Sequence, residues 1–426
     1  MKYPPYYINR PWRITIMLLL ISTFFIVSPI LILYTEGYRY DWESQTVLTT
    51  GVLSIDIEPD DARVFINNQI IKDPIPIRLA DLSPNNYTIR LEKDGHHTWE
   101  KSMIISSNQT TYINNITLPE LHGHNPHLLG ASKAIISPNS KYIAYTQDNQ
   151  LLVANNASPD TILYTFKANA SQIEKIDWAP HDDFFMAHTT STLTLLDPSL
   201  PQEAQTFDII SPLHTQWEEN NTPALFISEE KSIYELNREG KQLKTQTSST
   251  LWYIDRKNNL WEYDAQKNKL FSEQYTISLD QAIDTIIAID DNKILLQYKD
   301  TLTIIHDYQK ETQMVQTLNT THTRYLSSRD EWLAWSPWEL WVMPHDEEAT
   351  LRLRTSEHIQ DVALLYKEGT LLLNTNKGLI AFNPNPLYYT MQELITDNSI
   401  RHIWTQTKEQ HIYFSDIDDN IYSLKY

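Results

Sequence analysis

The pattern of apolar and polar residues divides the chain into one apolar segment and a long series of short alternating stretches. Residues 14–35 contain no charged residue. About 20 apolar residues are enough to cross the hydrocarbon core of a bilayer as a helix. The rest of the chain alternates with a period of two over strand-length stretches and shows no helical periodicity of any length. The pattern therefore predicts one membrane-spanning helix followed by an all-β protein.

Charged residues on the two flanks of the apolar segment predict its orientation. The flanking residues are Lys2, Arg10 and Arg13 before it, and Glu36, Asp41 and Glu43 beside a single Arg39 after it. Because Lys and Arg are retained on the cytoplasmic side, the N-terminus is predicted to be cytoplasmic and residues 36–426 extracytoplasmic. A cleaved signal peptide is the alternative. The length of the apolar run and the lack of an A-x-A site after it favour an uncleaved, single-pass anchor in the cell membrane.

Five segments follow from this pattern. They are a cytoplasmic tail (1–13), a transmembrane anchor (14–35), a connector (36–50), a small β domain (51–119) and a large β domain (120–426). The small domain contains strand-length stretches of four to seven residues separated by polar turns, which predicts a β-sandwich.

The small domain resembles the PEGA domain family. The resemblance lies in IEPDDARVFINN at 57–68, IPIRL at 75–79 and LSPNNYTIRLEKDGHHTW at 82–99. It implies a module of bacterial and archaeal cell surfaces with no established enzymatic activity. Asp60-Asp61 and Asn85-Asn86 stand where the family has glycine-containing turns. Asp and Asn are the non-glycine residues best able to adopt positive φ, so we expect these turns to be retained.

A strand–turn–strand pattern recurs eight times in the large domain. The recurrences begin near residues 135, 176, 224, 251, 286, 332, 362 and 403. Their mean spacing is about 38 residues, close to the roughly 40 residues of a four-stranded propeller blade. We predict a β-propeller of seven or eight blades, with a pair of β-sandwiches as the alternative fold. Residues 120–134 are expected to contribute to the last sheet, because final strands often close a propeller in this way.

Three turns of the large domain resemble those of TolB-type or WD40-like propeller repeats. They are Ser137-Pro138-Asn139, Ala179-Pro180-His181-Asp182 and Trp335-Ser336-Pro337. The Asp-Gly that usually follows Ser-Pro is absent in all three, so the resemblance concerns the architecture rather than one family.

Composition excludes several classes of function. The chain has no cysteine, which excludes disulfides, thiol catalysis and thiolate metal sites. It also lacks the glycine-rich loops G-x-G-x-x-G and G-x-x-x-x-G-K-[ST], so no nucleotide cofactor is predicted. The net charge is −20, and the basic tail leaves about −23 on the exported part. Such a surface repels phosphates and does not favour nucleic-acid binding. It favours solubility, and it could also attract cations or a basic partner.

Two segments carry possible metal ligands. His122, His124 and His127 lie close enough together to suggest zinc or copper, or else a polar linker between the domains. Asp416, Asp418 and Asn420 offer oxygen atoms at alternate positions, as calcium loops do. The segment lacks the Gly and Glu of such a loop, so a hairpin turn is predicted. No metal site is therefore assigned.

Clusters of tryptophan and glutamate are the remaining candidates for a binding or catalytic site. The four tryptophans Trp332, Trp335, Trp338 and Trp341 suggest either core packing or an aromatic platform for sugars. Pro337 is expected to divide their segment into two strands, with Trp335 in the core and Trp338 in the turn. The pairs Glu218-Glu219, Glu229-Glu230 and Glu347-Glu348 are interpreted as solvated charges, because sequence adjacency does not place two carboxylates across a substrate. No catalytic residue is assigned.

The favoured function is non-enzymatic. We expect a membrane-anchored scaffold or recognition module of the cell envelope that binds a protein or a glycan. The sequence does not predict its oligomeric state. The alternative is an envelope enzyme, such as a glycan hydrolase or lyase, with its site at the propeller channel, although the fold alone supplies no chemistry. A sensor is disfavoured because the 13-residue tail holds no signalling domain.

Overall fold

The computed structural model describes residues 10–35, 37–41, 46–120, 124–209, 214–218, 224–310, 313–386, 390–397, 399–406 and 410–425. It separates into two compact units, Met1–Leu121 and His122–Tyr426. Apart from one helix, α1, and two short 3₁₀ turns, the regular structure of the described residues consists of β-strands. The predicted all-β class is confirmed.

Helix α1 (Arg10–Thr35) contains the predicted apolar span and ends at the predicted residue. Its 26 residues extend about 39 Å at about 1.5 Å per residue, enough for a hydrocarbon core of about 30 Å. Thr15 and Thr23 donate their hydroxyl hydrogens to carbonyls four residues earlier, so these polar groups are satisfied within the helix. Length and composition fit a membrane anchor, and they fit a signal sequence equally.

Two strands form a hairpin inside the segment predicted as a connector. They are β1 (Tyr38–Asp41) and β2 (Thr46–Thr49), which pair antiparallel. After them, the backbone N–H of Thr50 donates to the carbonyl of Gly37 at 2.9 Å. The chain that follows the helix is therefore partly folded on itself.

Seven further strands form the small β domain. They are β3 (Gly51–Glu58), β4 (Arg63–Ile66), β5 (Gln69–Ile71), β6 (Ile77–Leu82), β7 (Asn85–Glu92), β8 (Trp99–Ile105) and β9 (Thr110–Thr117). One sheet has the order β6-β3-β9 and the other has the order β5-β4-β7-β8. Leu53 and Ile55 from the first sheet and Ile89 and Leu91 from the second are fully buried. The period-two alternation that predicted these strands thus produces a two-layer core.

The predicted turn at Asp60 and Asp61 is retained, and the N–H of Ala62 donates to the carbonyl of Pro59 across it at 3.1 Å. The positive φ angles of this domain lie elsewhere. Asn67 (φ 49°) and Asn68 (φ 65°) form the tight turn between β4 and β5, and Asp81 (φ 68°) lies within β6. Asn85 and Asn86, which were expected in a turn, are instead the first residues of β7. The expectation was correct about the residue types and wrong about these positions, because the paired Asn residues extend the ladder with β8.

The large β domain consists of eight four-stranded antiparallel sheets within the described residues. The strands are β10 (Asn125–Leu128), β11 (Ser132–Ile136), β12 (Tyr142–Gln147), β13 (Gln150–Asn155), β14 (Ser158–Asn169), β15 (Ile173–Trp178), β16 (Phe185–Thr189), β17 (Thr192–Leu196), β18 (Gln205–Asp208), β19 (Thr215–Trp217), β20 (Leu225–Glu229), β21 (Ser232–Asn237), β22 (Gly240–Gln246), β23 (Trp252–Ile254), β24 (Leu260–Asp264), β25 (Lys269–Phe271), β26 (Thr276–Ser278), β27 (Thr285–Ile289), β28 (Lys293–Tyr298), β29 (Thr301–His306), β30 (Met314–Leu318), β31 (His322–Leu326), β32 (Glu331–Trp335), β33 (Glu339–Pro344), β34 (Thr350–Arg354), β35 (Ile359–Leu364), β36 (Leu371–Thr375), β37 (Gly378–Asn383), β38 (Thr390–Thr396), β39 (His402–Gln406), β40 (His411–Ser415) and β41 (Ile421–Lys425).

The sheets are numbered 1 to 8 in chain order, sheet 1 being β11–β14 and sheet 7 being β35–β38. Sheet 8 combines β39, β40 and β41 with β10, which pairs with β41. The expectation that residues 120–134 contribute to the last sheet is confirmed. Joining the first strand of the domain to its last three closes the fold non-covalently, so the last sheet needs both ends of the domain.

Hydrophobic clusters join each sheet to the next one around a ring. Phe226 of sheet 3 packs with Trp252 of sheet 4, for example, and Leu372 of sheet 7 packs with Phe414 of sheet 8. A further cluster joins Tyr413 of sheet 8 to sheet 1. The remaining neighbours are joined in the same way. The domain is therefore a closed β-propeller, and the alternative pair of β-sandwiches is not observed.

The eight predicted recurrences fall one in each sheet, but two of them are out of phase. Those near residues 224 and 332 coincide with second strands, and the others coincide with first strands. In sheet 3 the first strand, β19, has only three residues, and in sheet 6 the first strand, β31, has the polar sequence HTRYL. The apolar pattern of the second strand is stronger in both sheets, which explains the uneven spacing of the predicted repeats.

Two glycines that begin strands of the propeller differ in how closely the neighbouring backbone approaches them. Gly378 (φ 138°) begins β37, and an added Cβ would lie 1.9 Å from the carbonyl oxygen of Ile395. Gly240 (φ 123°) begins β22, and an added Cβ would meet nothing within 4 Å. We expect Gly240→Ala to cost about 1–3 kcal/mol through backbone strain alone. Gly378→Ala should cost more, because the backbone of β38 must also move. Thermal unfolding of the two variants checks this, and equal losses of stability would contradict it.

Candidate functional site

The first strands of the sheets surround the propeller axis and are linked by polar side chains. β23 lies against β27, and β35 lies against β39. The Gln216 side chain accepts a hydrogen bond from the N–H of Ile254 (2.9 Å) and donates one to the carbonyl of the same residue (2.7 Å). Arg324 forms an ion pair with Asp361 of the next sheet at 3.1 Å. These side chains are used to hold neighbouring sheets together.

One edge of the ring carries the turns that join first to second strands and third to fourth strands; we call it the acidic face. Turns of neighbouring sheets contact each other there. Lys257 pairs with Asp291 at 2.6 Å, and the Asn292 side-chain amide donates to Asp346 at 3.0 Å. Acidic residues outnumber basic ones in the described turns of this face. The face therefore attracts cations and repels anions.

Pockets lie between neighbouring sheets of the ring. One of about 540 Å³ between sheets 8 and 1 is lined by Asn155, Asn156 and Gln406, among others. A second, of about 550 Å³, lies between sheets 3 and 4. A third, of about 520 Å³, lies between sheets 5 and 6 and opens at the acidic face. We call this third cavity the 5–6 pocket, and its lining differs from that of the other two in its ionisable groups.

The floor of the 5–6 pocket comes from three paired strands. Lys293, His306 and Met314 are directly opposite one another on β28, β29 and β30, so they share one face of sheet 5. Lys293 is 2% exposed, and its ammonium group donates to the backbone carbonyls of Pro344 and Glu347. Burial lowers the pKa of Lys293, and nearby carboxylates, Asp290 first among them, act in the opposite direction.

His306 is the second ionisable group of the floor. It is 8% exposed, and its Nε2 atom is buried without a hydrogen-bond partner among the described residues. Burial lowers the pKa of His306, and the neighbouring Lys293 lowers it further. Glu348, a side-chain hydrogen bond with Gln316 and Asp307 act in the opposite direction. A buried imidazole nitrogen without a hydrogen-bond partner is uncommon in folded proteins, and it marks this part of the pocket floor.

Carboxylates form the rim of the 5–6 pocket. Asp346, Glu347 and Glu348 are exposed and lie in the turn between β33 and β34. Within the described residues, Glu347 and Glu348 have no ion-pair partner. His345, in the same turn, lies 3.7–3.8 Å from the carboxylates of Asp290, Asp330 and Asp346. The searched, described residues contain no group of three or more His, Asp or Glu side chains that could hold a metal ion.

The histidines of the predicted linker pack on aromatic rings of sheet 8. His124 contacts the rings of Phe414 (5.6 Å) and Tyr422 (5.0 Å). His127 lies 4.9 Å from the Tyr413 ring, and its Nε2 is 3.0 Å from the side-chain oxygen of Asn156. Burial lowers the pKa of His127. His122 lies outside the described residues. The two described histidines thus help to attach β10.

The segment that resembled a calcium loop is a hairpin turn between β40 and β41, as predicted. One carboxylate oxygen of Asp416 accepts the backbone N–H groups of Asp418 (2.9 Å) and Asn420 (2.8 Å). Asp255 accepts from Lys257 and Asn259 in the same way. These carboxylates satisfy their own turn, which is why Asp occurs at the start of these hairpins.

The structure assigns different environments to the tryptophans and the paired glutamates. Trp335 lies on β32 and is 4% exposed, whereas Trp338 lies in the turn before β33 and is 51% exposed, as predicted. Glu229 is largely buried and pairs with Lys241 at 2.5 Å, so the interpretation of this residue as a solvated charge was wrong. Glu347 and Glu348 are exposed, but they lie on the rim of a pocket. Sequence adjacency gave no indication of that.

A pair of tryptophan substitutions tests these two environments. Trp335→Ala should destabilise the protein by about 3–5 kcal/mol, because it removes a buried ring from the cluster shared by sheets 6 and 7. Trp338→Ala should change stability by less than about 0.5 kcal/mol, because the ring is half in solvent. Denaturant unfolding of both variants measures the difference. A large loss in Trp338→Ala would show that its turn is a packing element.

The burial of His306 predicts a pH dependence of stability. Its pKa is lower in the folded protein than the ordinary 6.5 of the unfolded chain, so protons bind more tightly to the unfolded state. The contribution of His306 to stability is complete above about pH 6.5 and is lost as the pH falls below it. We expect His306→Gln to reduce the drop in melting temperature between neutral and mildly acidic pH. The exposed His181 offers the control His181→Gln, which should follow the wild type. If the melting temperatures of all three proteins fell equally between neutral and mildly acidic pH, His306 would not be the source of the pH dependence.

Comparisons with known proteins find one family match, in the small β domain. Residues 50–120 match the PEGA domain. No curated protein matches the chain by sequence. The chain is similar to the WD40 domain of SCAP from fission yeast, with 11% identity and a TM-score of 0.44, covering 71% of this chain and 97% of that one. It is also similar to the β-propeller domain of Cps50 (Swd1) from Myceliophteria thermophila, with 10% identity and a TM-score of 0.41, covering 71% and 98%. Residues 50–120 are thus a PEGA domain, and in this chain a β-propeller follows it.

Proposed function

We propose that this protein is a single-pass membrane protein whose extracytoplasmic propeller binds a protein or glycan of the cell envelope. The observation that carries the proposal is the closed ring of sheets with its acidic face. A rigid ring holds many turns in fixed positions, and binding residues are commonly placed on turns supported by such a scaffold. The pockets between sheets, open at the same edge, add concave surfaces to an otherwise convex rim.

The membrane part of the proposal rests on α1 and its flanks. The helix is long enough to span a bilayer, and its apolar side chains are exposed, Phe25 by 70% and Leu19 by 65%. Such a surface is favourable in lipid and costly in water. Basic residues precede it and mostly acidic residues follow it, which supports a cytoplasmic N-terminus. A PEGA domain directly after the helix is consistent with a position at the cell surface.

Nothing in the described residues favours the alternative of an envelope enzyme at the channel. An enzyme site would need a nucleophile, or an acid and a base, converging on one position. Among the polar side chains of the first strands, Gln216 and Arg324 are instead engaged with neighbouring sheets. A binding module does not need catalytic groups that converge on one position, so the side chains of the first strands are compatible with it. If the partner is a glycan, the exposed ring of Trp338 offers a surface on which a sugar can stack. This ring lies on the edge opposite the acidic face.

Protease accessibility tests the orientation. We expect a C-terminal tag to be degraded when intact cells or spheroplasts are treated with protease, and an N-terminal tag on the same full-length chain to be protected. Both tags should be present on one polypeptide, since the helix is proposed to be uncleaved. The basic flank should direct this orientation, so Arg10→Gln/Arg13→Gln should leave part of the population with a protected C-terminus.

Arg39 on the other flank provides the matched control. Arg39→Gln removes a basic residue from the extracytoplasmic side and should leave the orientation unchanged. A protected C-terminal tag in the wild type would refute the orientation. Recovery of a mature chain without the N-terminal tag would refute the anchor.

A further inference from the structure

The 5–6 pocket combines exposed carboxylates with a buried imidazole. Two exposed carboxylates, Glu347 and Glu348, stand on its rim without an ion-pair partner among the described residues. His306, more than nine-tenths buried, lines the floor of the same pocket, and its covered Nε2 atom has no hydrogen-bond partner among the described residues. Buried polar atoms are nearly always hydrogen-bonded in folded proteins. An unpartnered one at the floor of a pocket marks a position that a ligand can complete.

The charge of the pocket selects the kind of group. Lys293 supplies one positive charge at the floor, but the carbonyls of Pro344 and Glu347 already accept hydrogen bonds from its ammonium group. Around it lie the carboxylates of Asp290, Asp307, Asp330, Asp346, Glu347 and Glu348. Asp307 is paired with Lys310 at 2.9 Å, and the rim glutamates are left uncompensated. The net local charge is negative, which favours a cationic group and disfavours a carboxylate or phosphate.

The shape of the pocket indicates which kind of cationic group fits it. Met314 lines one wall and is 41% exposed, so it offers an apolar surface between the rim and the floor. Lys and Arg side chains have a hydrophobic stem and a charged head, and they bury the stem while the head meets carboxylates. β30, which carries Met314, is the outer strand of sheet 5. A polypeptide passing this edge could therefore place one basic side chain in the pocket.

We propose that the 5–6 pocket receives a Lys or Arg side chain from a basic protein partner. The head group lies between Glu347 and Glu348 above the His306 ring, and the stem lies against Met314. The inference rests on the proposed binding function and gives it a partner class, a protein with a basic exposed segment. Electrostatic attraction by the acidic face guides such a segment towards the ring, and the pocket gives the contact its position.

The experiment uses the full-length chain in a non-ionic detergent. Binding of a fluorescently labelled short peptide of alternating Lys and Ser is measured by anisotropy, with a peptide of alternating Gln and Ser as the uncharged probe. We expect the Lys peptide to bind and the Gln peptide not to bind. Glu347→Gln/Glu348→Gln should weaken binding of the Lys peptide about tenfold or more, since each lost charged contact removes a hydrogen bond to an ionised group. Both side chains are exposed, so this variant should retain the melting temperature of the wild type.

A matched variant separates the pocket from the general acidity of the propeller. Glu203→Gln/Glu239→Gln removes the same charge from exposed turns of the acidic face in sheets 2 and 3. It should change the affinity by less than about twofold. Equal weakening by the two double variants would overturn the proposal, because the peptide would then be attracted by net charge alone. Spermine binding as tightly as the peptide, with the same dependence on Glu347 and Glu348, would overturn the assignment to a protein partner.

Failure of this inference is distinguishable from failure of the proposed function. If the Lys peptide does not bind the wild type, the pocket assignment is refuted. The protease experiment still reports independently on whether the propeller is displayed outside the membrane. If that experiment refutes the orientation while the peptide binds through Glu347 and Glu348, the pocket is established and its partner lies on the cytoplasmic side.

Discussion

Closure of the ring is the constraint on which the propeller depends. A four-stranded sheet with two apolar faces cannot be stable in water by itself, because both faces need to be covered. In this chain each sheet is covered by its two neighbours, so no sheet can be omitted without exposing apolar faces on both sides of the gap. The pairing of β10 with β41 completes the last sheet from both ends of the domain. His127, held between Tyr413 and Asn156, attaches the closing strand to sheets 8 and 1 at once.

Closure also explains where polar side chains are used. Near the axis the first strands converge, and their backbone groups that face the next sheet have few partners. Gln216 satisfies both backbone groups of Ile254, and near the periphery Gln316 does the same for Ala349. Each of these contacts joins neighbouring sheets by two hydrogen bonds, worth about 0.5–1.5 kcal/mol each. Their geometric effect matters more than their energy, because they fix the angle between sheets and with it the width of the pockets.

The sequence predicted most of the fold because the relevant information is local. Strands β3 and β8 alternate cleanly between a buried and an exposed face, which is the pattern that predicts a strand from the sequence. The repeat of the propeller was recognised, but its phase was lost at β19 and β31, where the first strand is too short or too polar to show the pattern. The turns of the small domain show the same limit. The residue types indicated a positive φ, but only the pairing of the strands determines which residues adopt it.

The 5–6 pocket was not predictable from the sequence, and the reason is physical. Its floor and rim come from four strands and three turns, and Lys293 and Glu348 are brought together only when sheets 5 and 6 pack. Read alone, Glu347-Glu348 is an ordinary solvated pair, and a single His such as His306 at the end of an apolar strand is an ordinary core residue. Only the fold shows that these residues share a pocket, because the turn after β33 lies over the end of β29. Lys293 contributes to this position, since its buried ammonium group holds the carbonyls of Pro344 and Glu347 and so fixes the turn that presents the carboxylates. A buried cation beneath an acidic rim is thus a structural support for the rim, and the surplus of negative charge above it is available to a ligand.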